Sequence, residues 1–240
     1  MSSKEFQHPD ELKDSDLYKI FMQHKGRLIH KHVLYFHAYE KHFARFRNKP
    51  ITFLEIGVSA GGSVQMWKKY FGAQAKIVGI DINPDTKFQE EQIAIRIGSQ
   101  DDPVFLKSVI DEFGPFDIIL DDGSHVQKHI TTSFECLYPF VKEDGVYFVE
   151  DLHTSYWPEF GGGLKSENQF IEYSKKLLDP LNGCDLGIKK FDSLIRSVSF
   201  YPSIVVFEKP FSGAHNTHPG QRMCSSCEDS GVDQSPVFYS

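Results

Sequence analysis

Residues 51–63 constrain the fold of this chain more than any other stretch. An apolar run at residues 51–56 is suited to a buried strand, and three glycines follow it within six residues. Residues 64–67 then favour a helix. A strand, a glycine-rich loop and a helix in this order are typical of a nucleotide-binding turn, because glycine permits both the sharp bend and the close approach of a ligand.

The spacing within this loop narrows the choice of ligand. From Gly57 to Gly62 the pattern is G-x-x-x-G-G, which differs from the G-x-G-x-x-G of dinucleotide-binding folds. Glu55 precedes the first glycine by two residues, and its carboxylate would repel a diphosphate. A ligand with a cationic or amine-bearing end is compatible with it. A tight turn without a ligand is the alternative interpretation.

The chain that follows alternates between strands and helices. Strands are predicted at residues 51–56, 75–81, 93–97, 116–120 and 145–149, with helices at 63–71, 103–113 and 126–140. This rhythm predicts an α/β fold, with a Rossmann-like, mostly parallel sheet and helices on both faces. Residues 193–200 and 203–208 predict a closing antiparallel hairpin, which brings the sheet to seven strands.

The regions around this core differ in character. Residues 1–48 are predicted as an N-terminal helical segment, with a helical pattern from 17 to about 47 that Gly26 divides, and residues 49–210 as the α/β domain. A lid is predicted at 152–163, followed by a helix at 164–178. Residues 211–240 have the composition of a loosely ordered tail. Zinc binding by Cys224 and Cys227 within it is the less favoured alternative interpretation.

Composition gives no support to several classes of function. The 240 residues carry a formal net charge of −7, which gives no support to nucleic-acid binding. The sequence has no apolar run of about 18 residues and no apolar signal core at its start, so a cytoplasmic protein without a membrane partner is expected. The histidines and lysines between residues 24 and 42 form either a solvated helix face or part of the mouth of a site.

Acidic residues lie at the ends of four of the predicted strands. Because ligands bind at the carboxyl ends of strands in such sheets, these acids are expected to converge there and to need a cation, a sugar hydroxyl or a cationic ligand. They are Glu55, Asp81, the pair Asp121 and Asp122, and the pair Glu150 and Asp151.

Asp81 and the loop after the third strand suit a nucleoside. Asp81 comes 24 residues after Gly57 at a strand end, where an acid accepts hydrogen bonds from ribose hydroxyls, although it could instead cap the next helix. Ser99 and Gln100 could hold an adenine ring by polar contacts or form an ordinary helix-initiating turn.

The acids after the fourth and fifth strands suit a hard metal. Carboxylates from two neighbouring strand ends favour Mg²⁺, Mn²⁺ or Ca²⁺. Mg²⁺ can hold a diol and lower the pKa of its hydroxyl. His125, three residues after Asp122, could take the proton. The alternatives are that Asp121 or Asp122 caps the next helix and that His125 bonds within its turn.

Two motifs resemble a known family. The glycine loop with Val78-Gly79-Ile80-Asp81 resembles class I S-adenosylmethionine-dependent methyltransferases. More closely, D-D-G-S-H at residues 121–125 and E-D-L-H-T-S-Y-W at 150–157 look like the metal-dependent macrolide sugar O-methyltransferases of the mycinamicin and demethylmacrocin type. The resemblance spans residues 18–208, although enzymes of this type can have a separate N-terminal domain.

The resemblance assigns roles to individual residues. It implies a general base, His125, and a lid over the acceptor that contains Tyr156 and Trp157. It implies Mg²⁺ ligands at Asp122, Glu150 and Asp151. The residues that would contact S-adenosylmethionine are Glu55, Gly57, Ser63, Asp81, Ser99, Gln100 and Asp121.

The function implied is a Mg²⁺-dependent transfer of a methyl group from S-adenosylmethionine to a hydroxyl of a sugar or polyol-bearing small molecule. A homo-oligomer is expected. Two alternatives stay open from the residues alone. One is an α/β enzyme with another nucleotide cofactor, and the other is a non-catalytic nucleotide-binding module.

Overall fold

Seven strands form one sheet in the residues that this computed structural model describes, which are 12–88, 90–182 and 195–211. The strands are β1 (Thr52–Ile56), β2 (Lys76–Asp81), β3 (Ile93–Ile97), β4 (Phe116–Asp121), β5 (Val141–Val149), β6 (Ser197–Tyr201) and β7 (Ile204–Glu208). Their order is β3-β2-β1-β4-β5-β7-β6. The first five are parallel, and β7 pairs antiparallel with both β5 and β6. The predicted mostly parallel sheet with a C-terminal antiparallel hairpin is confirmed.

Helices cover both faces of the sheet. They are α1 (Asp16–Met22), α2 (Tyr35–Phe43), α3 (Gly62–Phe71), α4 (Pro103–Phe113), α5 (Gln127–Leu137), α6 (Phe170–Lys176) and α7 (Leu178–Asn182). Short 3-10 turns lie at Ala44–Phe46, Pro84–Thr86, Tyr138–Phe140, Leu152–Tyr156 and Pro158–Phe160. The carboxylate of Asp102 accepts from the amides of Val104 and Phe105 and caps α4.

The N-terminal helices belong to the main core. One hydrophobic layer joins the sheet to α1, α2 and α3, and a second joins it to α4, α5 and α6. In the first layer the rings of Tyr39 and Phe43 from α2 pack against Trp67 of α3 and Phe148 of β5, with centroids 5.2 to 5.6 Å apart. Such aromatic contacts add to the burial of large apolar area. They fix the N-terminal segment over the face of the sheet that carries the site.

Residues 23–34 are not helical, so the predicted helical pattern from 17 to 47 is wrong in its middle. Part of the backbone there bonds to α3. The carbonyl of Leu28 accepts from the amide of Gly62, and the amide of Arg27 donates to the side chain of Gln65. A Cβ on Gly62 would lie 2.4 Å from the Leu28 oxygen, so glycine permits this approach. The segment is called the strap below.

The predicted helix at 164–178 begins only at Phe170. Lys165 has a φ of 56°, a left-handed conformation that a helix cannot contain, and residues up to Gln169 form turns. The predicted lid at 152–163 contains two 3-10 turns. Its first 3-10 turn is anchored because the buried Ser155 hydroxyl donates to Gln127.

The fifth strand starts at Val141, earlier than the predicted residue 145. Val141 pairs with Phe116 and Val146 with Ile118, so the extra residues of β5 form an irregularity opposite residues 116–118 of β4. The predicted tail at 211–240 and its Cys224 and Cys227 lie outside the described residues, apart from Phe211.

Glu208, at the end of β7, ties the hairpin to α2 and to the 3-10 turn that follows it. Its carboxylate bonds His42, accepts from the Ser197 hydroxyl at 2.8 Å, and pairs with Arg45 at 3.0 Å and Arg196 at 3.2 Å. The bond with His42, followed by those with Ser197 and the two arginines, holds the pKa of this carboxyl well below its usual range.

The variant Glu208→Gln is therefore expected to lower the free energy of unfolding at pH 7 by about 1–3 kcal/mol. A lowered carboxyl pKa stabilises the fold above the ordinary value of about 4.3, and this contribution is lost as the pH falls towards the folded-state value. Urea denaturation at pH 7 and below pH 4 should show the difference shrinking with acid. Glu112→Gln is the control, because Glu112 pairs with Arg96 on the surface and should matter little. A difference that grows with acid would contradict this assignment.

Candidate functional site

Two adjoining cavities open at the carboxyl ends of β1, β2 and β4. Their volumes are about 240 and 250 Å³. Both are bordered by Gly57, Ser59, Asp122 and Gly123, so the glycine loop and the end of β4 separate them. We call them the β2-side cavity, which reaches Asp81, and the strap-side cavity, which reaches Lys31.

Gly57 brings the ends of β1 and β4 together. Its φ is +90°, and a Cβ there would lie 2.0 Å from the carbonyl oxygen of Asp122. Its amide donates to Ile80 of β2 at 2.8 Å. The wall between the two cavities therefore requires glycine at this position.

The variant Gly57→Ala is expected to lose stability in two ways. The left-handed backbone costs about 1–2 kcal/mol for alanine, and the clash with Asp122 adds about 1–3 kcal/mol. Gly161→Ala is the matched control, because its φ is +77° but a Cβ there meets nothing within 4 Å. Urea denaturation of both variants isolates the steric part, and equal losses would contradict the close packing at Gly57.

The β2-side cavity combines apolar and polar walls. Ile56, Ile80 and the exposed Ile82 supply the apolar part. The polar part comes from Asp81, Ser99, Gln100, Ser124 and His129. Asp81 and the loop of Ser99 and Gln100 thus meet in one cavity, as the sequence predicts for a nucleoside site.

Asp81 braces the glycine loop as well as bordering the cavity. One carboxylate oxygen accepts from the amides of Val58 and Ser59, both at 2.9 Å, and the other accepts from Asn83. The following 3-10 turn is capped by Asn83 rather than by Asp81. A carboxylate offers about four acceptor positions, so Asp81 keeps capacity for a ligand hydroxyl.

Asp121 lies behind the cavity rather than on its wall. It is 2% exposed, and burial raises the pKa of its carboxyl. It accepts from the Ser133 hydroxyl at 2.7 Å and from the side-chain amide of Gln100, whose oxygen in turn accepts from Ser124. The structure therefore places Asp121 as a support for Gln100 and does not bring it to the predicted contact with a cofactor.

Three other acids meet on the face covered by the strap. Side chains alternate along a strand, so Glu55 shares the face of Phe53, and Asp122 and Glu150 continue the same face at the ends of β4 and β5. This alternation separates Asp122 from its neighbour Asp121.

Lys31, which the sequence did not single out, lies among these acids. Its side chain is 2% exposed, and its ammonium is 2.5 Å from Asp122, 3.1 Å from Glu150 and 3.3 Å from Glu55. Burial opposes the charged form of Lys31, but the three carboxylates raise its pKa well above the usual value. The signal in the sequence that could have pointed to Lys31 was the segment rich in histidine and lysine before the first strand.

Glu55 and Glu150 are both buried around this ammonium. Desolvation raises the pKa of each carboxyl, and the lysine opposes that rise. Glu55 also accepts from Ser63 at 2.8 Å and from the indole of Trp67 at 3.3 Å. Of the predicted cofactor residues, Ser63 borders the strap-side cavity and Glu55 lies behind it.

His125 and Asp151 also border the strap-side cavity. Both have left-handed backbones, with φ of 58° and 54°. The Nε2 atom of His125 lies 3.6 Å from an oxygen of Asp151 and 3.9 Å from Oδ1 of Asp122. The Tyr35 hydroxyl donates to Asp151. Strained conformations held this way are typical of functional sites.

Asp122, His125 and Asp151 form a candidate metal site among the described residues. One ligand atom from each lies within 4.8 Å of the others. Glu150 is not in this group, because its carboxylate accepts from the Tyr39 hydroxyl and from Lys31. The structure therefore brings two of the three predicted metal ligands together, and adds the histidine that was predicted as the base.

The predicted lid residues lie outside both cavities. Tyr156 and Trp157 are 46% and 44% exposed, and the indole packs edge-on against His153 with centroids 5.0 Å apart. Phe160, which the sequence did not suggest, lies nearer the site, with its ring 6.5 Å from that of His125.

The histidines of the N-terminal segment divide between the two interpretations. His30 borders the strap-side cavity, and Nε2 of His32 lies 4.0 Å from Asp151. His37 is exposed on α2, away from both cavities. The interpretation as part of the mouth of a site therefore holds for His30 and His32, and the interpretation as a solvated helix face holds for His37.

Strand order, the reversed C-terminal hairpin and a cleft at the carboxyl strand ends define the class I methyltransferase fold. A solved structure shares it: the MycE methyltransferase of the mycinamycin biosynthetic pathway, in complex with Mg, SAH and mycinamycin VI, has a TM-score of 0.75 and 32% identity over 83% of this chain and 54% of that one. No family model matches the chain.

The sequence relatives are antibiotic sugar O-methyltransferases. The chain is 35% identical over 192 residues to 8-demethyl-8-alpha-L-rhamnosyl tetracenomycin-C 2'-O-methyltransferase of Streptomyces olivaceus, covering 74% of this chain and 50% of the relative. It is 40% identical over 158 residues to demethylmacrocin O-methyltransferase of Streptomyces fradiae, covering 62% and 40%. The chain thus spans half or less of the length of these curated relatives and is their homologue over that part.

The helices of the described residues give no sign of a membrane-spanning segment, since none of them combines sufficient length with sufficient apolar character.

Proposed function

We propose that this chain transfers a methyl group from S-adenosylmethionine to a sugar hydroxyl of a glycosylated small molecule, with Mg²⁺ as metal. The observation that carries the proposal is the shared wall of the two cavities. It places a nucleoside-sized cavity on one side and the group of Asp122, His125 and Asp151 on the other. Homology to sugar O-methyltransferases supports the same conclusion.

The β2-side cavity suits the nucleoside half of the cofactor. The apolar walls from Ile56, Ile80 and Ile82 fit the faces of an adenine ring, and Gln100 and Ser99 fit its polar edge. Asp81 would accept hydrogen bonds from the ribose hydroxyls. The glycine loop then leads towards the strap-side cavity, so the methionine end of the cofactor would lie next to the candidate metal site.

The residues present fit a divalent metal. Asp122 and Asp151 supply the carboxylate oxygens that Mg²⁺ prefers, so these two residues would hold the metal. The nitrogen of His125 suits Mg²⁺ less well and would be left free. When bound, the metal would hold the acceptor hydroxyl and lower its pKa.

His125 would accept the proton of the acceptor hydroxyl as its oxygen takes the methyl group. Its Nε2 atom faces the cavity between Asp122 and Asp151, whose negative charges stabilise the imidazolium that forms. The sulfonium loses its charge in the same step, so displacement of water by the bound acceptor next to Phe160 would favour the reaction.

The strap-side cavity would receive the acceptor. Its volume of about 250 Å³ suits one sugar ring, with the exposed Leu28 and His30 at its edge. The rest of a glycosylated molecule would extend beyond it towards Trp157. A homo-oligomer and a cytoplasmic location remain predictions from the sequence.

Methyl transfer tests this function directly. The protein is incubated with S-adenosylmethionine, Mg²⁺ and a panel of acceptors, namely demethylmacrocin, mycinamicin VI and a rhamnosyl tetracenomycin. Mass spectrometry should show a product with one added methyl group on a sugar hydroxyl, and a chelator should abolish it. Transfer that is unaffected by the chelator, or that modifies carbon or nitrogen, would contradict the proposal.

A further inference from the structure

Lys31 shares one carboxylate with the candidate metal site. Oδ2 of Asp122 pairs with the Lys31 ammonium at 2.5 Å, whereas Oδ1 of the same carboxylate faces His125. Asp122 is therefore a bridge between a buried, permanent cation of the protein and the place where a divalent cation would bind. Two positive charges so close repel each other strongly wherever water is excluded.

The other partners of Lys31 show what its charge compensates. The ammonium has three donors, and Asp122, Glu150 and Glu55 surround it. Glu150 and Glu55 are 1% and 0% exposed, so water cannot compensate their charges. Without Lys31, the hydroxyl of Tyr39 would still bond Glu150, but no positive charge among these contacts would balance the acids.

We infer that Lys31 is an internal competitor of the divalent cation, and that it keeps metal affinity low by occupying the charge of Asp122 and Glu150. This inference rests on the proposed function, because it requires a divalent cation held by Asp122 and Asp151. Since Lys31 lies in the strap, metal binding and the contact of the strap with the acids oppose each other. Lys31 thus acts on the metal through the carboxylates of Asp122 and Glu150 and does not contact the metal itself.

The test is the affinity for Mn²⁺, measured by calorimetry and by the electron paramagnetic resonance of free Mn²⁺, with no substrate present. The variant Lys31→Met, which keeps the length of the side chain and removes its charge, should bind Mn²⁺ about tenfold more tightly or better. Lys31→Arg, which keeps the charge, should resemble the wild type. Lys142→Met is the matched control, because Lys142 forms a 2.7 Å ion pair with Asp117 at the far end of β4.

A purely structural role for Lys31 predicts the opposite sign, since a disordered acid cluster binds metal less well. Unchanged or weaker Mn²⁺ binding by Lys31→Met would therefore overturn the inference. If this variant is unfolded without metal, Mn²⁺ should restore its folding in a thermal melt, and failure to do so would also overturn the inference.

Absence of Mn²⁺ binding in both the wild type and Lys31→Met would overturn the inference and also remove the metal from the proposed function. Tighter Mn²⁺ binding by Lys31→Met, with no such change in Lys31→Arg or Lys142→Met, would support the inference.

Discussion

Replacing His125 with alanine is expected to lower the turnover number of methyl transfer about 10²–10⁴-fold, the usual contribution of a general base. The imidazole faces the acids Asp122 and Asp151 at 3.9 and 3.6 Å, where the acceptor hydroxyl would lose its proton. Binding of S-adenosylhomocysteine should change little, because His125 borders only the strap-side cavity. Single-turnover rates with saturating acceptor provide the measurement.

The same variant distinguishes a base from a metal ligand. A base can be removed with little change in Mn²⁺ affinity, whereas removal of a ligand weakens Mn²⁺ binding together with turnover. The control is His37→Ala, since His37 is exposed on α2 and contacts neither cavity. A turnover number for His125→Ala close to that of the wild type would exclude both roles.

Replacing Asp122 with asparagine is expected to weaken Mn²⁺ binding by more than the roughly 10–100-fold loss typical of residues that only support metal ligands. Asp122 supplies one candidate ligand atom and also pairs with Lys31. Loss of its charge removes an attraction for the metal and leaves the lysine with fewer partners. Metal-dependent methyl transfer should fall with the affinity.

Asp117→Asn is the matched control for this variant. Asp117 lies on the same strand, β4, and its carboxylate pairs with Lys142 and accepts from the amide of Thr52, far from the candidate metal site. It should alter stability without altering Mn²⁺ affinity. Equal Mn²⁺ binding by Asp122→Asn and Asp117→Asn would contradict the assignment of Asp122.

The sheet could be predicted from the sequence because its signals are local. Each parallel strand is a short apolar run, and each is followed by a helix with an apolar face or by a turn. The chemistry of helix caps accounts for Asp102, that of tight turns for Gly57, and that of strand pairing for the C-terminal hairpin. These elements need little information from distant parts of the chain.

The acids could be located at the strand ends but were not sorted by face. The alternation of side chains does sort them, since it places Asp121 towards Gln100 and Ser133 and places Asp122 and Glu150 towards the strap. The sequence contained this information, and the division into a support and a site follows from it.

Other features depend on contacts between distant segments. Lys31 meets its acids only because the strap bonds to α3 through Leu28 and Gly62, and no periodic pattern in residues 23–34 indicates this. Two 3-10 turns bring Phe160 close to His125, and the hydrogen bonds of these turns could not be predicted from the sequence. These are the parts of the site that tertiary structure alone defines.

The most direct test of the central claim is a calorimetric titration of S-adenosylhomocysteine into the wild type, Asp81→Ala and Asp85→Ala, each with Mg²⁺ and with a chelator. Asp81 borders the β2-side cavity and braces the glycine loop, whereas Asp85 is exposed in the turn beyond it. The account predicts binding to the wild type and Asp85→Ala, and much weaker binding to Asp81→Ala. Absence of binding to the wild type in both conditions would contradict the methyltransferase assignment.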